Sequence, residues 1–517
     1  MYNLNERLME AVESTHLLRD KFLADRTRPG YHFACPEDYG MPGDVNCCFY
    51  SRGRYHLMYI YESRSDFFRY GHLSSTDLVH WRAHPDAVIP DELDGGIFSG
   101  GAFVDDDGTC YISYWALGKN GTQGGVRIAK SSDRYYEKWE KFEDYMLPCT
   151  ESGVHETVDE NGTPMYLGCA DPSNIWKKNG KYYIQLGNLP VLIKFGVSGH
   201  WEHTNTPRDP NTPDNVRGDW TELFESDDLK TWKFVHRFYE RRQDDTWTQA
   251  NEDDMCPVFL PLPKKDGSDS GKHLQLFISH NLGCQYYIGT YDKTADLFLP
   301  ESHGRMTWKD FTFFAPEALT APDGRVIMWA WLHDNLYADN DRTELETLGW
   351  TGVFSMPREL WLREDGTLGM APAKELRMLR YNETDDLSAL DPVSCEIELE
   401  FAADDRTKSG LRVFASPDGG EFTDIFYDHE AGELVVDMKK SGIGRFNVEE
   451  RAPFRLEECE KLRLDIFLDK SVIEVYANGR QAICRRVFTS SDESCGIGVI
   501  GAPETVRGWD MMPSNFY

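Results

Sequence analysis

The sequence of 517 residues predicts an all-β protein in which a five-bladed β-propeller is followed by a C-terminal β-sandwich. The first supporting observation is a unit that occurs five times, in which a polar turn ending in glycine leads into a short aromatic and β-branched strand. Such units at long intervals are typical of propeller blades. The second is a change of pattern after the fifth unit, where short alternating strands follow at the spacing of a sandwich. The five units are residues 53–59, 108–114, 180–185, 271–277 and 324–329.

These patterns divide the chain into three parts. Residues 1–28 mix acidic and basic side chains with spaced apolar ones, which predicts an N-terminal helical segment. Residues 29–385 contain the five units and are predicted to form the propeller, which would be the catalytic domain. Residues 386–517 are predicted to form the sandwich. Its strands are expected at residues 395–402, 411–415, 434–438, 462–468 and 472–476.

A second repeat, found at three places, combines Ser and Asp with a Trp a few residues later. The Ser and Asp side chains can cap a tight turn through hydrogen bonds to the backbone. The Trp is expected to cover the edge of a blade, so we interpret this repeat as scaffold. Its copies are residues 75–81, 132–139 and 226–232.

Charge and hydropathy argue against two classes of partner. The sequence has 87 acidic and 55 basic residues and a formal net charge of −32, which repels phosphate backbones and anionic membrane surfaces. No run of about 18 apolar residues indicates a membrane span. We therefore predict no nucleic-acid partner and no membrane partner, while assembly into a homo-oligomer stays open.

Twelve cysteines raise the question of disulfides and metals. The N-terminus lacks the apolar segment of a signal peptide, so a cytoplasmic location with reduced thiols is predicted. Neither a CxxC pair nor the spacing of a zinc site is present. The prediction is therefore no metal and no cofactor.

Motifs spread over nearly the whole chain resemble those of glycoside hydrolase family 32, the invertases and fructanases. The resemblance identifies the chain as a divergent member of that family. It implies a five-bladed propeller followed by a sandwich, with hydrolysis or transfer of β-fructofuranosyl groups as the usual activity. The motifs are residues 28–33, 98–102, 313–317, 349–350 with 356–360, and 469–479.

The resemblance implies roles for two carboxylates. Retaining cleavage of a furanoside needs a carboxylate nucleophile and a nearby acid. Residues 42–46, Pro-Gly-Asp-Val-Asn, fall on the family's nucleophile motif, usually Met-Asn-Asp-Pro-Asn, which makes Asp44 the nucleophile. Residues 170–172, Ala-Asp-Pro, fall on the motif usually written Arg-Asp-Pro, although the arginine is absent. Asp171 would then bind sugar hydroxyls and stabilise the oxocarbenium-like transition state.

The general acid is the weakest match. The family has a Glu directly before a Cys-Pro pair, whereas Met255 stands there in this sequence. A one-residue bulge would bring in Asp254, and a larger shift would use Glu252, whose side chain reaches further. Asp253 lies between them, and adjacent acids raise one another's pKa, as an acid protonated near neutrality requires. The alternative is a solvated acidic loop.

Several sugar-contact positions of the family are changed together. Gly43 replaces the first Asn of the nucleophile motif, Ile60 a Gln of the first blade, and Tyr70 a Trp before Gly-His. A changed substrate explains this clustering, although loss of catalysis would also permit it. The residues that the resemblance places at the substrate are Asn46, Tyr70, Phe98, Ser99 and Glu317.

The predicted function is a retaining glycoside hydrolase that cleaves a small β-fructofuranoside or related furanoside through a covalent glycosyl-enzyme intermediate. The alternative is a non-catalytic carbohydrate-binding protein on the same scaffold. An interaction propeller without chemistry is disfavoured, because it has no need for acids at two of the family's catalytic positions.

Overall fold

The computed structural model describes residues 6–34, 43–63, 66–197, 216–242, 244–333, 348, 350, 352–403, 408–444 and 447–514. Within these ranges the protein consists mainly of antiparallel sheets, with a propeller followed by a sandwich. Helix α1 (Glu6–Ala24) lies within the segment predicted to be helical. A short helix α2 (Leu189–Lys194) follows the strand Lys181–Gly187. Two 3₁₀ turns, Lys374–Leu379 and Leu387–Ala389, lie between the domains and at the start of the sandwich.

The propeller strands form five sheets of four or more strands and one two-stranded ribbon among the described residues. We propose that each larger sheet is one blade. The first has β1 (Val45–Ser51), β2 (Arg54–Ser63), β3 (Asp66–Ser75) and β4 (Trp81–Val88). The second has β5 (Asp94–Ile97), β6 (Ala102–Val104), β7 (Cys110–Gly118), β8 (Gly124–Ser131), β9 (Glu140–Lys141) and β10 (Leu147–Pro148), and the ribbon has β11 (Val154–Val158) and β12 (Pro164–Gly168). The third has β13 (Ala170–Pro172), β14 (Trp176–Lys178), β15 (Lys181–Gly187), β16 (Trp220–Ser226) and β17 (Trp232–Glu240). The fourth has β18 (Met255–Pro263), β19 (Asp269–Ser279), β20 (Gly283–Asp292) and β21 (Leu297–Arg305), and the fifth has β22 (Phe313–Thr320), β23 (Val326–Leu332), β24 (Val353–Phe354), β25 (Arg358–Leu362) and β26 (Leu368–Pro372).

The glycine of each repeated unit has a conformational reason. All five adopt a positive φ, between 74° and 86°. Gly53, Gly108, Gly180 and Gly324 lie in the turns that precede β2, β7, β15 and β23, whereas Gly271 lies inside β19. Only glycine adopts this left-handed region without a steric cost from its side chain. Four of the five units therefore begin in the turn before the strand, and in the fourth sheet that turn contains Gly267 instead, with a φ of 81°. The glycines are Gly53, Gly108, Gly180, Gly271 and Gly324.

The first strand of four sheets contains a β-bulge with a left-handed residue. The register shifts within β1, β13, β18 and β22, and the residue at the shift has a φ between 37° and 50°. A bulge bends its strand and re-aims the neighbouring side chains. These bulges lie where the strands approach the candidate site. The left-handed residues are Cys47, Asp171, Cys256 and Ala315.

Turn capping by the second repeat is confirmed. The carboxylate of Asp77 accepts hydrogen bonds from the backbone N–H groups of Val79 and His80, at 3.0 and 2.8 Å. Asp228 accepts in the same way from the two residues at the corresponding positions of its turn. These residues stabilise turns by accepting backbone hydrogen bonds.

The sandwich packs two sheets around its own apolar core. One sheet has the order β27-β37-β28-β33-β34-β35 and the other β32-β31-β30-β29-β36. Because β27 precedes the predicted boundary near residue 385 and pairs with the last strand, we propose a boundary in residues 373–379. The strands are β27 (Arg380–Thr384), β28 (Ser394–Phe401), β29 (Ser409–Ala415), β30 (Thr423–Asp428), β31 (Glu433–Asp437), β32 (Glu449–Pro453), β33 (Leu462–Asp469), β34 (Val472–Ala477), β35 (Gln481–Arg486), β36 (Gly496–Ile500) and β37 (Thr505–Met511).

The motif at residues 28–33 joins the two domains. The carboxylate of Asp469, at the end of β33, accepts hydrogen bonds from the backbone N–H groups of Gly30, Tyr31 and His32 at 2.6, 2.8 and 2.7 Å. The imidazole of His32 lies 3.0 Å from Asp469 and 3.3 Å from Glu474, and all three side chains are buried. Residues of two family motifs thus hold the start of the propeller on the sandwich.

This buried cluster makes stability depend on pH. Burial opposes the charge of His32, but the hydrogen bonds to Asp469 and Glu474 outweigh it and raise its pKa from 6.5 to about 9. Because the pKa of His32 is higher in the folded than in the unfolded state, its charge stabilises the fold fully below about pH 6.5, and this stabilisation is lost as the pH rises through about 9. The full difference corresponds to about 3 kcal/mol. We expect urea unfolding to show His32→Gln costing most near pH 6 and little near about pH 10. A pH-independent cost would contradict the charged state of His32.

Two further observations concern the thiols and the helices. Every cysteine in the described ranges is a free thiol, and most are buried, as expected for reduced core residues. Neither described helix is long and apolar enough to cross a bilayer.

Candidate active site

A cavity of about 630 Å³ opens where the bulged first strands of the propeller approach one another. Its wall contains two carboxylates, an imidazole, a thiol and several aromatic rings. A concave, mostly apolar space with a few polar groups is the usual form of a small-molecule site. The described lining residues are Gly43, Asp44, Ile60, Phe68, Phe98, Trp115, Ser152, Asp171, Leu189, Pro190, Ile193, Met255, Cys256, His280, Phe314 and Trp331.

The structure brings Asp44 and Asp171 together around one sulfur atom. Sγ of Cys256 lies 3.8 Å from Oδ2 of Asp44 and 3.4 Å from Oδ2 of Asp171. Asp44 directly precedes the bulged strand β1, whereas Asp171 and Cys256 are the left-handed residues of β13 and β18. Residues 85 and 212 positions from Cys256 thus meet at its sulfur, because each lies at or just before the first strand of its sheet.

Asp44 is held by Asn46 and Ser99, two residues that were predicted to contact the substrate and that are not among the described lining residues of the cavity. The Ser99 hydroxyl donates a hydrogen bond to its Oδ2. The side-chain amide of Asn46 donates to the Asp44 carbonyl at 2.8 Å, and its oxygen accepts from the backbone N–H of Gly100 at 3.0 Å. Burial raises the pKa of Asp44, while Ser99 and the charge of His280 oppose that shift. Ser99 and Asn46 therefore orient the carboxylate from behind.

The pKa of Asp171 is raised further than that of Asp44. Burial and then the charge of Asp44 raise its pKa from 3.8 to about 7, with His280 and Cys256 opposing. The backbone N–H of Cys256 donates to its Oδ2 at 3.3 Å. Two carboxylates that share a low-dielectric space raise each other's pKa, because their charges repel. The charge of Asp44 acts on Asp171 in this way, so the ionised form of Asp171 appears as the pH rises through neutrality.

The remaining predicted substrate contacts divide into two groups. The ring of Phe98 lines the cavity. Tyr70 is fully buried behind it and donates its hydroxyl to the Phe98 carbonyl at 2.5 Å. Glu317 is also buried, and it accepts from the backbone N–H groups of Cys47 and Ala318 at 3.0 and 3.1 Å. Tyr70 and Glu317 therefore support the wall rather than forming part of it.

The two predicted acids do not line the cavity. Asp254 accepts hydrogen bonds from the Tyr239 hydroxyl and from Nε2 of Gln275, the latter at 3.2 Å. Side chains alternate in direction along an extended chain, so Asp254 points away when its neighbour Met255 faces the cavity. The one-residue bulge does occur, but its left-handed residue is Cys256, one position beyond Met255, and it leaves Asp254 on the far side.

Glu252 is fixed as a structural anion. Its carboxylate accepts hydrogen bonds from the guanidinium of Arg305 at 2.9 and 3.0 Å, from the Ser279 hydroxyl at 3.0 Å and from Nε2 of Gln285 at 3.0 Å. Burial raises its pKa, but the charge and hydrogen bonds of Arg305 outweigh burial and leave the pKa lowered. An acid of lowered pKa inside an ion pair is a poor proton donor near neutrality.

The sequence did not indicate that Trp115, Trp331 and His280 line the cavity. Trp115 and Trp331 lie in β7 and β23, just beyond two of the predicted glycine units, and no motif singled them out. His280 directly follows β19 and had no motif around it. Only the lateral packing of blades shows that these side chains face one space.

An acidic cluster outside the cavity is the group of described residues close enough to share a cation. It consists of Glu396, Glu398 and Asp465 in the sandwich. Arg380 donates to Glu396 at 2.6 Å and to Glu398 at 2.8 Å. The guanidinium already supplies positive charge there, so the cluster is accounted for as an ion-pair network.

Buried facing carboxylates in an aromatic cavity are the groups with which enzymes cleave glycosidic bonds. The model of the glycosyl hydrolases family 32 N-terminal domain matches residues 32–206 and 212–372, and that of the family's C-terminal domain matches residues 374–507. The chain therefore belongs to glycoside hydrolase family 32, and it is a glycoside hydrolase.

Relatives extend over nearly the full chain. Sucrose-6-phosphate hydrolase of Zymomonas mobilis is 25% identical, covering 99% of this chain and 97% of its own. Levanase of Bacillus subtilis is 25% identical, covering 98% of this chain and 74% of its own. The structure of fructan 1-exohydrolase IIa from Cichorium intybus matches with a TM-score of 0.75 at 20% identity, covering 95% and 98% of the two chains. Sucrose-6-phosphate hydrolase from Lactobacillus gasseri matches with 0.74 at 22%, covering 98% and 97%. These likenesses confirm the predicted propeller and sandwich.

Proposed function

We propose that this enzyme is a retaining glycosidase that cleaves a small β-fructofuranoside or related furanoside through a covalent intermediate on Asp44. The observation that carries the proposal is the placement of Asp44 and Asp171 within 3.8 Å of one sulfur atom in a cavity walled by aromatic rings. A carboxylate held by two neighbours at the base of such a cavity suits attack on an anomeric carbon.

The two carboxylates have different tasks in this scheme. In the first step an oxygen of Asp44 bonds to the anomeric carbon as the bond to the leaving oxygen breaks. Asp171 accepts hydrogen bonds from sugar hydroxyls and stabilises the positive charge that develops on the ring. In the second step water attacks the anomeric carbon and the bond to Asp44 breaks, which releases the sugar with its original configuration.

The described wall favours a neutral sugar. Sugar rings pack well against aromatic faces, and Phe98, Trp115 and Trp331 supply such faces, the first two in contact with their ring centroids 5.1 Å apart. Neither Lys nor Arg occurs among the lining residues that the structure describes, so this part of the wall offers no guanidinium or ammonium group for a sugar phosphate, and its one imidazole, His280, interacts with the carboxylates of Asp44 and Asp171. Among the relatives, one is named for sucrose 6-phosphate, whereas others are named as a levanase and a β-fructofuranosidase. An unphosphorylated fructoside therefore fits the described wall better than a phosphorylated one.

A reducing compartment suits this enzyme, and we propose the cytoplasm. The described thiols are all free, including Cys256 between the two carboxylates. Oxidation of this thiol would add polar oxygen atoms at the point where the substrate must bind.

The proposal is tested by a substrate screen followed by trapping. Purified protein is incubated with fructosides, arabinofuranosides and fructose disaccharides, and released sugar is measured. We expect at least one β-fructofuranoside to be cleaved with retention, observed by NMR of the first-formed product. Rapid denaturation during turnover of β-fructofuranosyl fluoride should leave a sugar on the peptide that contains Asp44. Binding without any cleavage would instead support the non-catalytic alternative.

A further inference from the structure

The described wall of the cavity lacks a third carboxylate where the family places its acid. The residue at that position, Met255, lines the cavity with a thioether that has no proton to donate. Asp44 and Asp171 have the tasks given above, and the thiol of Cys256 has a pKa raised far above its usual range by burial. The leaving oxygen still needs a proton when it is poorly activated.

His280 is the one imidazole among the described lining residues. It follows β19 directly, beside the start of β18, where Met255 pairs with Ile278. The ring is almost fully buried and meets the ring of Phe314 edge to face, with centroids 5.5 Å apart. The imidazole thus lies on the same side of the cavity as the residue that replaces the family's Glu.

The imidazole is oriented by a buried carboxylate. Oδ2 of Asp253 lies 2.8 Å from Nδ1 of His280, and Oδ1 accepts the backbone N–H of His280 at 3.1 Å. Asp253 is fully buried, so this pair is not screened by water. With Nδ1 donating to Asp253, the proton that can be exchanged with a substrate is the one on Nε2. A carboxylate that fixes an imidazole in this manner is a recurring arrangement for acid and base catalysis.

Burial and three carboxylates set the charge of this imidazole. Burial opposes its protonation, whereas the carboxylates of Asp253, Asp171 and Asp44 favour it, and together they raise the pKa of His280. In return the imidazolium opposes the upward shifts of Asp44 and Asp171. The imidazolium and the carboxylates thus stabilise one another's charged forms, while burial keeps the pKa of Asp171 at about 7, so the state that the first step needs becomes populated as the pH rises through neutrality.

We propose that His280, positioned by Asp253, is the general acid and base of this active site, an inference that rests on the proposed function. In the first step Asp44 forms its bond to the anomeric carbon, the glycosidic bond breaks, and the leaving oxygen takes the Nε2 proton. His280 is then neutral. In the second step Nε2 takes a proton from water, the water oxygen bonds to the anomeric carbon, and the bond to Asp44 breaks. Imidazolium and carboxylate are regenerated.

The test measures how the His280→Gln variant and the parent turn over two different substrates. On a β-fructofuranoside with an alcohol as leaving group, we expect turnover to fall about a hundredfold to ten-thousandfold. On β-fructofuranosyl fluoride, whose leaving group needs no proton from an acid, bond cleavage should fall much less. Azide should accelerate the second step with the fluoride, because it attacks without a base and gives the fructosyl azide. The ratio of the two rates on one preparation is independent of how much variant is folded.

Two variants complete the experiment. Asp253→Asn removes the carboxylate that favours the charge of His280, so the basic limb of the pH profile should move to lower pH. His236→Gln, a histidine on outer strand β17, should keep the parent's substrate ratio. An unchanged ratio in His280→Gln overturns this inference while leaving the proposed function intact. A parent that cleaves neither substrate overturns the proposed function itself.

Discussion

Replacing Asp44 with Asn is expected to leave the protein folded and to lower turnover by at least about a thousandfold. The amide keeps the size of the side chain and can still accept the hydrogen bond from Ser99. It cannot form the covalent intermediate, because it has no anionic oxygen to bond with the anomeric carbon. Steady-state turnover of the fructoside identified by the screen is the measurement.

Two controls accompany this variant. Asp107→Asn alters an exposed carboxylate whose oxygen accepts a turn hydrogen bond from Thr109, and an asparagine oxygen can accept the same bond. Its turnover should match that of the parent. In Asp44→Asn the loss of the neighbouring charge should also lower the pKa of Asp171. Turnover near the parent's rate would show that Asp44 is not the nucleophile.

Replacing Asp171 with Asn is expected to lower kcat strongly, by about a hundredfold or more, with a smaller effect on the binding of substrate. Its hydrogen bonds to the sugar should tighten as positive charge develops on the ring, so their loss is felt mainly in the transition state. The measurement is kcat together with Kd for the fructoside, the latter determined in the inactive Asp44→Asn background. A defect confined to Kd would show that Asp171 only holds the sugar.

The pH profile supplies a second readout for Asp171. Its pKa of about 7 means that the ionised form appears as the pH rises through neutrality. If the ionised form stabilises the transition state, activity rises through the same range, and this acidic limb should be displaced in Asp171→Asn. An unchanged acidic limb would assign it to another group, such as Asp44.

The sequence predicted those parts of the molecule that depend on local rules. A glycine with positive φ occurs in each unit, so the five units were visible without any knowledge of the fold. Asp44 and Asp171 were found because their position relative to those units matched a family. Their closeness around Cys256 was implied by that family resemblance, and the local sequence by itself contained no sign of it.

The acid could not be assigned from the sequence for a geometric reason. Three adjacent carboxylates looked equivalent, but the alternation of side chains and the buried partners give each a different neighbour. Glu252 is paired with Arg305, Asp253 with His280, and Asp254 with Tyr239. His280 lies 27 positions from Asp253, so only the pairing of β18 with β19 explains their meeting.

The bulges in the first strands place functional side chains at positions that contribute little to the stability of each sheet. Each bulge is maintained by the backbone of its own sheet, so the side chain that it aims at the cavity adds little to the ladder of hydrogen bonds. A substitution such as Met in place of Glu at residue 255 can therefore be accepted without rebuilding the sheet. Members of the family can then diverge at one first strand at a time. A reactive side chain lost from that strand can be replaced by one from the neighbouring strand while the fold is kept.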